Sequence, residues 1–331
     1  MKTKKPDIFL GVTICMLVLA AVLCIVILFV NKSGSEEPKN TDTHLASNEV
    51  VQTGDSNQPG STGTGTGTNT NPIQTNPPAP VDLKDIDQEG LKAALDDSLS
   101  GLASEWQVMV IDPAKGTKVS STAKCKIDDW MTANRMAQVF IMGTVFQQAQ
   151  EGTLVLDDVL EDVKAMITGN DTYAADRLTE KVGGGDAAKG RENVKAFAVA
   201  NGLQLGFNRP LTGSSGKKNY VTAQQTAELL NLLCTGKLVS EAASKQMLDI
   251  LLTPAENPEI DLGLTGEGIR YGFIHDVESD TCVCTMGVVQ LQNRSFVISV
   301  VCNEPYTIDG AKKKAVELVK LTQPYFEGSS N

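Results

Sequence analysis

An uncharged apolar run near the N-terminus confines any globular fold to the rest of the chain. Residues Ile8–Val30 contain no charged side chain, and about 20 apolar residues are enough to cross a bilayer as a helix. Lys2, Lys4 and Lys5 come before the run and predict a cytoplasmic N-terminus. We therefore expect residues 1–30 to form a cytoplasmic tip and a single-pass anchor in the cell membrane, with the lipid bilayer as the partner of Ile8–Val30.

A cleaved signal peptide is the alternative to this anchor. Such a peptide has a shorter apolar region followed by a small-x-small cleavage site, whereas this run ends in LFVNKSGSEE. The residue before Cys24 is a leucine, which disfavours lipid modification of that cysteine. The pattern favours an anchor that stays uncleaved.

The segment after the run has little that a folded domain buries. Residues 31–80 include STGTGTGTNTNPIQTNPPAP, which is mainly Gly, Thr, Asn and Pro. Such a composition does not offset the entropy lost on ordering. We expect a disordered linker here, followed by an extracytoplasmic domain over residues 81–331.

The charge of the chain excludes one class of partner. The formal net charge is -11, and nucleic-acid binding needs a basic face, so we expect no nucleic-acid partner. The glycine-rich stretch VGGGDAAKG neither follows a predicted strand nor precedes G-K-[ST], so it does not match a phosphate-binding loop. No motif in the sequence points to a cofactor.

Hydrophobic spacing predicts the first elements of the domain. Four leucines at three- and four-residue steps predict an amphipathic helix: Leu91, Leu95, Leu99 and Leu102. Two strands follow around a turn at Asp112–Gly116. The stretch DDWMTANRMAQVFIMGTVFQQAQEG predicts a long helix, capped by Asp128 or Asp129 and ended by Gly152.

The later elements complete the predicted architecture. Helical stretches occupy about residues 157–255, three strands follow, and a last helix is capped by Asp309. Strands from both ends of the chain then form one antiparallel sheet flanked by the terminal helices, with an all-helical lobe inserted between them. The fold class is α+β, with a cleft between the two lobes.

The cysteines leave two interpretations open. Five of the seven cysteines lie outside the anchor: Cys125, Cys234, Cys282, Cys284 and Cys302. A three-residue turn at Gln292–Arg294 would place Cys284 opposite Cys302, so a disulfide between them is one interpretation and small buried thiols are the other. No cysteine or histidine spacing matches a zinc motif, and no metal site is predicted.

Several stretches resemble one enzyme superfamily over about Leu83–Phe326. These are VFIMGTVFQQAQEGTLVLDD, MITGNDTYAADRL and NYVTAQQTAELLNLLCTGKLVSEAASKQMLDIL. They are similar to segments of the class A β-lactamases and the penicillin-binding serine D-Ala-D-Ala peptidases. The resemblance implies a β-lactamase/transpeptidase-like fold and a serine hydrolase that acts on β-lactams or peptidoglycan peptides.

The resemblance also implies catalytic residues that this chain lacks. The family has a serine at the start of a helix and a lysine one turn later, and the matching positions here are Arg135 and Gln138. The family's Ser-Asp-Asn segment is matched by Asn170, Asp171 and Thr172, which keep only the aspartate.

Two further family features are altered as well. The Lys-Thr-Gly strand is matched by Arg270, Tyr271 and Gly272. The loop that carries the deacylating glutamate in β-lactamases corresponds to residues 201–220, which contain no Asp or Glu. We therefore expect a membrane-anchored pseudoenzyme that binds or scaffolds at the cell envelope. An active hydrolase of the same superfamily and a structural spacer with a filled cleft are the alternatives.

Thr132 and His275 are the candidates to replace the lost catalytic groups. Thr132 with Arg135 forms T-x-x-R, but arginine is a poor base. His275 is the single histidine of the domain, and no G-x-S-x-G elbow accompanies it.

Arg135 and Arg270 predict a site for a carboxylate, such as the end of a peptidoglycan peptide, whereas a bridge from Arg135 to Asp171 would only fill the cleft. An envelope protein is the other expected partner.

Overall fold

The computed structural model describes residues 83–213, 216–255, 258–278 and 281–327. The expected anchor and the linker, residues 1–80, lie outside these ranges. Within the described ranges, the helices are all too short or too polar to cross a membrane.

Helices form both ends and the middle of the domain. Their bounds are α1 (Gln88–Leu99), α2 (Ala137–Gln150), α3 (Leu160–Thr168), α4 (Thr172–Val182), α5 (Ala187–Ala200), α6 (Ala223–Cys234), α7 (Glu241–Leu251) and α8 (Ile308–Thr322). Two short 3-10 turns are Leu156–Asp158 and Gln323–Tyr325.

The strands form one large sheet and one small one. They are β1 (Glu105–Asp112), β2 (Thr117–Ala123), β3 (Met131–Thr132), β4 (Tyr220–Val221), β5 (Arg270–Glu278), β6 (Cys282–Gln290) and β7 (Ser295–Asn303). The large sheet has the order β2-β1-β7-β6-β5, its neighbouring strands are antiparallel, and β3 pairs with β4. The two ends of the chain meet where β1 pairs with β7, which confirms the predicted α+β sheet.

The large sheet has an apolar core on each face. On one face, the predicted leucines of α1 pack with Ala315 and Leu318 of α8. On the other face, α2 packs among the inserted helices, and its residues Ala137–Phe146 are all buried. Because β6 and β7 are buried on both faces, they have near-continuous apolar runs instead of an alternating pattern.

Helix α2 is shorter than its sequence suggested. It begins at Ala137 instead of Asp128 or Asp129, because Met131–Thr132 pair with β4 as an extended strand. The Asp129 carboxylate accepts a hydrogen bond from the Lys126 amide. Gly152, with φ of 73°, follows the end of the helix as predicted. The cap predicted for α8 is also corrected, since the Thr307 side chain, not Asp309, caps its first turn.

The β6–β7 hairpin corrects the disulfide prediction. Its turn is Leu291–Arg294, one residue longer than expected, because Gln290 pairs with Ser295. A shift of one residue moves side chains to the opposite face of a strand. Cys284 therefore lies in the core on the α2 face and Cys302 in the core on the α1 face. The five cysteines in the described ranges are free thiols, so the disulfide interpretation is wrong for Cys284 and Cys302 and the interpretation as buried thiols agrees with the structure.

Candidate functional site

A buried carboxylate of β5 holds the turn that leads into α2. Asp276 is fully buried, and its Oδ2 accepts hydrogen bonds from the backbone amides of Asn134 and of Arg135, the latter at 3.1 Å. Burial raises the pKa of Asp276 to about 6, helped by the charge of Glu278 and opposed by these two amides. The strand segment beside Arg135 is therefore Asp276–Glu278.

This placement corrects the predicted position of the Lys-Thr-Gly strand. Arg270 lies six residues before Asp276 on β5, which is about 20 Å along an extended strand. The strand position next to Arg135 is therefore not Arg270–Gly272. Tyr271 packs on the α1 face of the sheet, where its ring meets that of Phe273 at 6.2 Å. The structure therefore does not bring the side chains of Arg135 and Arg270 together, as the predicted carboxylate site required.

The Arg135 side chain forms an ion pair that sequence spacing did not indicate. Its Nη1 lies 2.5 Å from Oε1 of Glu259, and the two side chains are 24% and 34% exposed. The expected partner, Asp171, instead caps α4 by accepting hydrogen bonds from the amides of Tyr173 and Ala174 at 2.8 and 3.1 Å. The predicted Arg135–Asp171 bridge is therefore wrong.

Two amide side chains occupy the positions that the sequence resemblance matched to a lysine and a serine, Gln138 and Asn170. Gln138 is wholly buried one turn after Arg135, and neither atom of its side-chain amide has a hydrogen-bond partner in the described part of the chain. Asn170 has a left-handed backbone, with φ of 52°. Its Nδ2 donates to the His275 carbonyl at 3.0 Å, which ties the helical lobe to β5. Thr172 is the first residue of α4.

The loop between α5 and β4 places a cation at the site. Nη2 of Arg209 donates to Oε1 of Glu278 at 2.8 Å, and the two side chains are 11% and 27% exposed. Asn219 positions this part of the loop, because its Oδ1 accepts hydrogen bonds from the amides of Asn208 and Arg209 at 2.7 and 3.0 Å. Sequence analysis missed Arg209, Glu259 and Glu278, since partners so far apart in sequence leave no local pattern.

Two hydroxyl groups lie beside a potential base, and both have a structural role. Thr285 Oγ1 is 2.9 Å from His275 Nδ1, but Thr285 is fully buried on the α1 face of the sheet. Burial, with a smaller effect of Lys312, lowers the pKa of His275 to about 4. Thr212 Oγ1 donates to Asp176, whose carboxylate also accepts from the Leu211 and Thr212 amides and so anchors the loop.

Thr132 does not replace the missing serine. It lies in β3 with 6% of its surface exposed. Its carbonyl and amide face the side-chain amide of Asn303 across the neighbouring strand. Neither its strand position nor its burial matches an exposed nucleophile at a helix start.

A cavity of about 370 Å³ lies along β5, at the edge of the large sheet. Its lining combines apolar and polar side chains and includes Thr168, Leu252, Pro258, Ile260, Arg270 and Phe273. Glu259, the partner of Arg135, lies between Pro258 and Ile260 in the sequence. The segment Pro258–Ile260 therefore contributes two side chains to the cavity lining and also carries the partner of Arg135.

Comparison with known proteins gives a consistent match. A family model described as a β-lactamase enzyme family matches residues 159–322, and no curated protein matches the chain. A β-lactamase from Sphaerobacter thermophilus is 18% identical, with a TM-score of 0.60 over 72% of this chain and 98% of that one. The TLA-3 extended-spectrum β-lactamase is 15% identical, with a TM-score of 0.62 over the same shares. At these identities the likeness concerns the fold.

Proposed function

We propose that this chain, whose fold is that of the class A β-lactamases, binds a ligand without acyl transfer. The main support is that Arg135, which the sequence resemblance matches to the family's nucleophile, is paired through its guanidinium with Glu259. Arginine offers no oxygen to acylate and stays protonated in proteins. Gln138, at the position of the lysine, is no base.

The other catalytic positions support the same proposal. The loop that would supply a deacylating carboxylate supplies Arg209, and that cation is engaged by Glu278. Asn170, at the serine of the Ser-Asp-Asn segment, uses its amide to hold the β5 backbone. At three of the matched positions the side chain now makes a structural contact: Arg135 with Glu259, Arg209 with Glu278, and Asn170 with the β5 backbone.

The ligand we propose is an extended peptide with a terminal carboxylate. The edge strand β5 borders the cavity, and an exposed sheet edge binds peptides by adding a strand. Arg135 can exchange Glu259 for a ligand carboxylate, which an arginine binds in a bidentate manner. Peptidoglycan stem peptides have this chemistry. The anchor expected at Ile8–Val30 would hold the domain outside the cell membrane, within reach of them.

Labelling with a fluorescent penicillin tests the absence of acyl transfer. The full-length chain in detergent is expected to form no covalent adduct, whereas a known penicillin-binding protein is labelled under the same conditions. An adduct mapped by mass spectrometry to a serine or threonine would overturn the proposal and establish an active hydrolase. Labelling gained by the double variant Arg135→Ser/Gln138→Lys would support the assigned positions.

Titration with a stem peptide tests the binding itself. A peptide ending in D-Ala-D-Ala carboxylate is expected to bind, and the same peptide with a C-terminal amide is expected to bind at least tenfold more weakly, because the charge-assisted pair is lost. Arg135→Gln should remove this difference. Arg177→Gln is the matched control, since Arg177 of α4 forms a largely exposed pair with Asp162 of α3. Absence of binding at millimolar peptide would end the peptide proposal.

A further inference from the structure

We infer that Asp276, Cys282 and Cys284 form a buried site for one zinc ion or a chemically similar soft divalent cation. One potential ligand atom of each residue lies within 4.8 Å of those of the other two. All three residues are fully buried. Asp276 joins the site to the backbone of Asn134 and Arg135. This inference does not depend on the proposed peptide binding.

The sheet register brings the three side chains together. Cys282 and Cys284 are two residues apart on β6 and therefore point to the same face. Asp276 is directly opposite Cys284 on β5. The Cys282 sulfur lies 3.7 Å from Oδ2 of Asp276. Tetrahedral zinc, with Zn–S of about 2.3 Å and Zn–O of about 2.0 Å, needs a sulfur–oxygen separation of about 3.5 Å.

The surroundings of Asp276 are a second observation that favours a bound cation. In the described ranges, no Lys, Arg or His side chain forms a salt bridge with this carboxylate. Its Oδ2 is bound by backbone amides, and its Oδ1 is buried with no hydrogen-bond partner among the described residues. A fully buried carboxylate is costly unless it is paired or bound to a metal. A divalent ion would balance the negative charge of the Asp276 carboxylate.

The ligand set selects the kind of metal. Thiolates favour zinc and other soft ions, whereas Mg²⁺ and Ca²⁺ prefer sites made only of oxygen. The Thr132 carbonyl oxygen lies 3.8 Å from the Cys284 sulfur and is a suitable fourth ligand. Binding displaces one proton from each thiol. The amides of Asn134 and Arg135 would orient the Asp276 carboxylate, as outer partners do at known metal sites.

Such an ion would have a structural role. A site closed by buried protein ligands leaves no position for substrate, as in structural zinc sites. Through Asp276 the ion would be linked to the backbone of Asn134 and Arg135. It would therefore hold the start of α2 against β5 and β6.

Metal content after refolding tests the inference. The tag-free full-length chain is unfolded, refolded in detergent with equimolar zinc, dialysed, and measured by plasma mass spectrometry. We expect about one zinc per chain, and less than a tenth of that in Cys282→Ser/Cys284→Ser. Cys302→Ser is the matched control, because Cys302 is equally buried in the same hairpin but faces the other core, and it should keep its zinc.

Refolding the wild-type chain with cobalt gives a second measurement that needs no variant to fold. Thiolate-to-cobalt charge-transfer absorption with the intense visible bands of tetrahedral cobalt supports the site. Wild-type protein that holds less than a tenth of an equivalent of zinc and shows no such bands would overturn the inference. Zinc retained by the folded double-cysteine variant would overturn it too, since the ion would then lie elsewhere.

Discussion

Arg209, on the loop before β4, donates a hydrogen bond to Glu278 at the end of β5, with 2.8 Å between Nη2 and Oε1. In the family that this chain resembles, the strand supplies a lysine and the loop supplies a glutamate. Here the loop supplies the cation and the strand supplies the carboxylate. The Arg209–Glu278 ion pair joins the loop to the end of the strand, and neither of the two side chains is the loop carboxylate that the family uses as a base.

Replacing Arg209 is expected to destabilise the domain. Arg209→Ala should lower the free energy of unfolding by about 1.5–3 kcal/mol, because it leaves the partly buried Glu278 without its charged hydrogen-bond donor. Chemical denaturation of the single variants and of Arg209→Ala/Glu278→Gln measures the coupling. Lys245→Ala, which breaks an exposed pair with Asp249, should change stability by less than about 0.5 kcal/mol. Additive losses in the cycle would contradict a direct interaction.

Releasing Arg135 from Glu259 is expected to strengthen binding of a carboxylate-terminated peptide. Glu259→Gln should raise the affinity about fivefold, since removing a competing partly exposed ion pair is equivalent to about 1 kcal/mol. Isothermal titration measures this. Glu267→Gln is the control in the same segment, because Glu267 is exposed and does not line the cavity. Equal affinities of the two variants would exclude Glu259 as a competitor.

Gly272 is required by a close backbone contact. A Cβ atom added there would lie 1.7 Å from the Leu251 carbonyl oxygen at the end of α7. Gly272→Ala should therefore lower the free energy of unfolding by about 3 kcal/mol or more, because a strand and a helix end must move apart. Thermal unfolding of Gly272→Ala and of the wild type measures this loss of stability. At Gly213 the nearest atom would lie at 3.6 Å, and Gly213→Ala should unfold like the wild type.

Two partly buried thiols, Cys125 and Cys234, are expected to react slowly at mildly alkaline pH. Burial raises the pKa of Cys125 to about 11 and that of Cys234 to about 12. At pH 8 the reactive thiolate is therefore about a hundredfold and a thousandfold rarer than for an unperturbed thiol. Site-resolved alkylation with iodoacetamide should give rates that still rise tenfold per pH unit at pH 10. In guanidinium both thiols should react at the rate of glutathione, and an equal rate in the folded protein would contradict the prediction.

Local patterns were enough to predict most elements of the domain. The helix spacing of Leu91, Leu95 and Leu99 predicted α1, and the turn at Asp112–Gly116 separates β1 from β2 as expected. Such patterns depend on neighbours within one or two turns of chain. The start of α2 was misplaced because the pairing of Met131–Thr132 with β4 depends on residues far away in sequence.

Register was the main source of error at the site. A one-residue difference in the β6–β7 turn separated Cys284 from Cys302, and the segment of β5 beside Arg135 was placed six residues too early. Neither error could be recognised from the neighbouring residues. A strand with this many apolar residues places apolar side chains in the core in several registers. Arg135 lies in the turn before α2 and Gln138 in the first turn of that helix, so the spacing between them does not depend on strand register.

The sequence by itself determined which chemical groups this domain can offer. No arrangement of the chain turns Arg135 into a hydroxyl or Gln138 into an amine, because side-chain identity does not depend on the fold. Only the tertiary structure decided which of those groups meet: Arg135 with Glu259, Arg209 with Glu278, and Asp276 with Cys282 and Cys284. Strand register and loop packing determine which of these side chains are in contact, and both depend on interactions between distant parts of the chain.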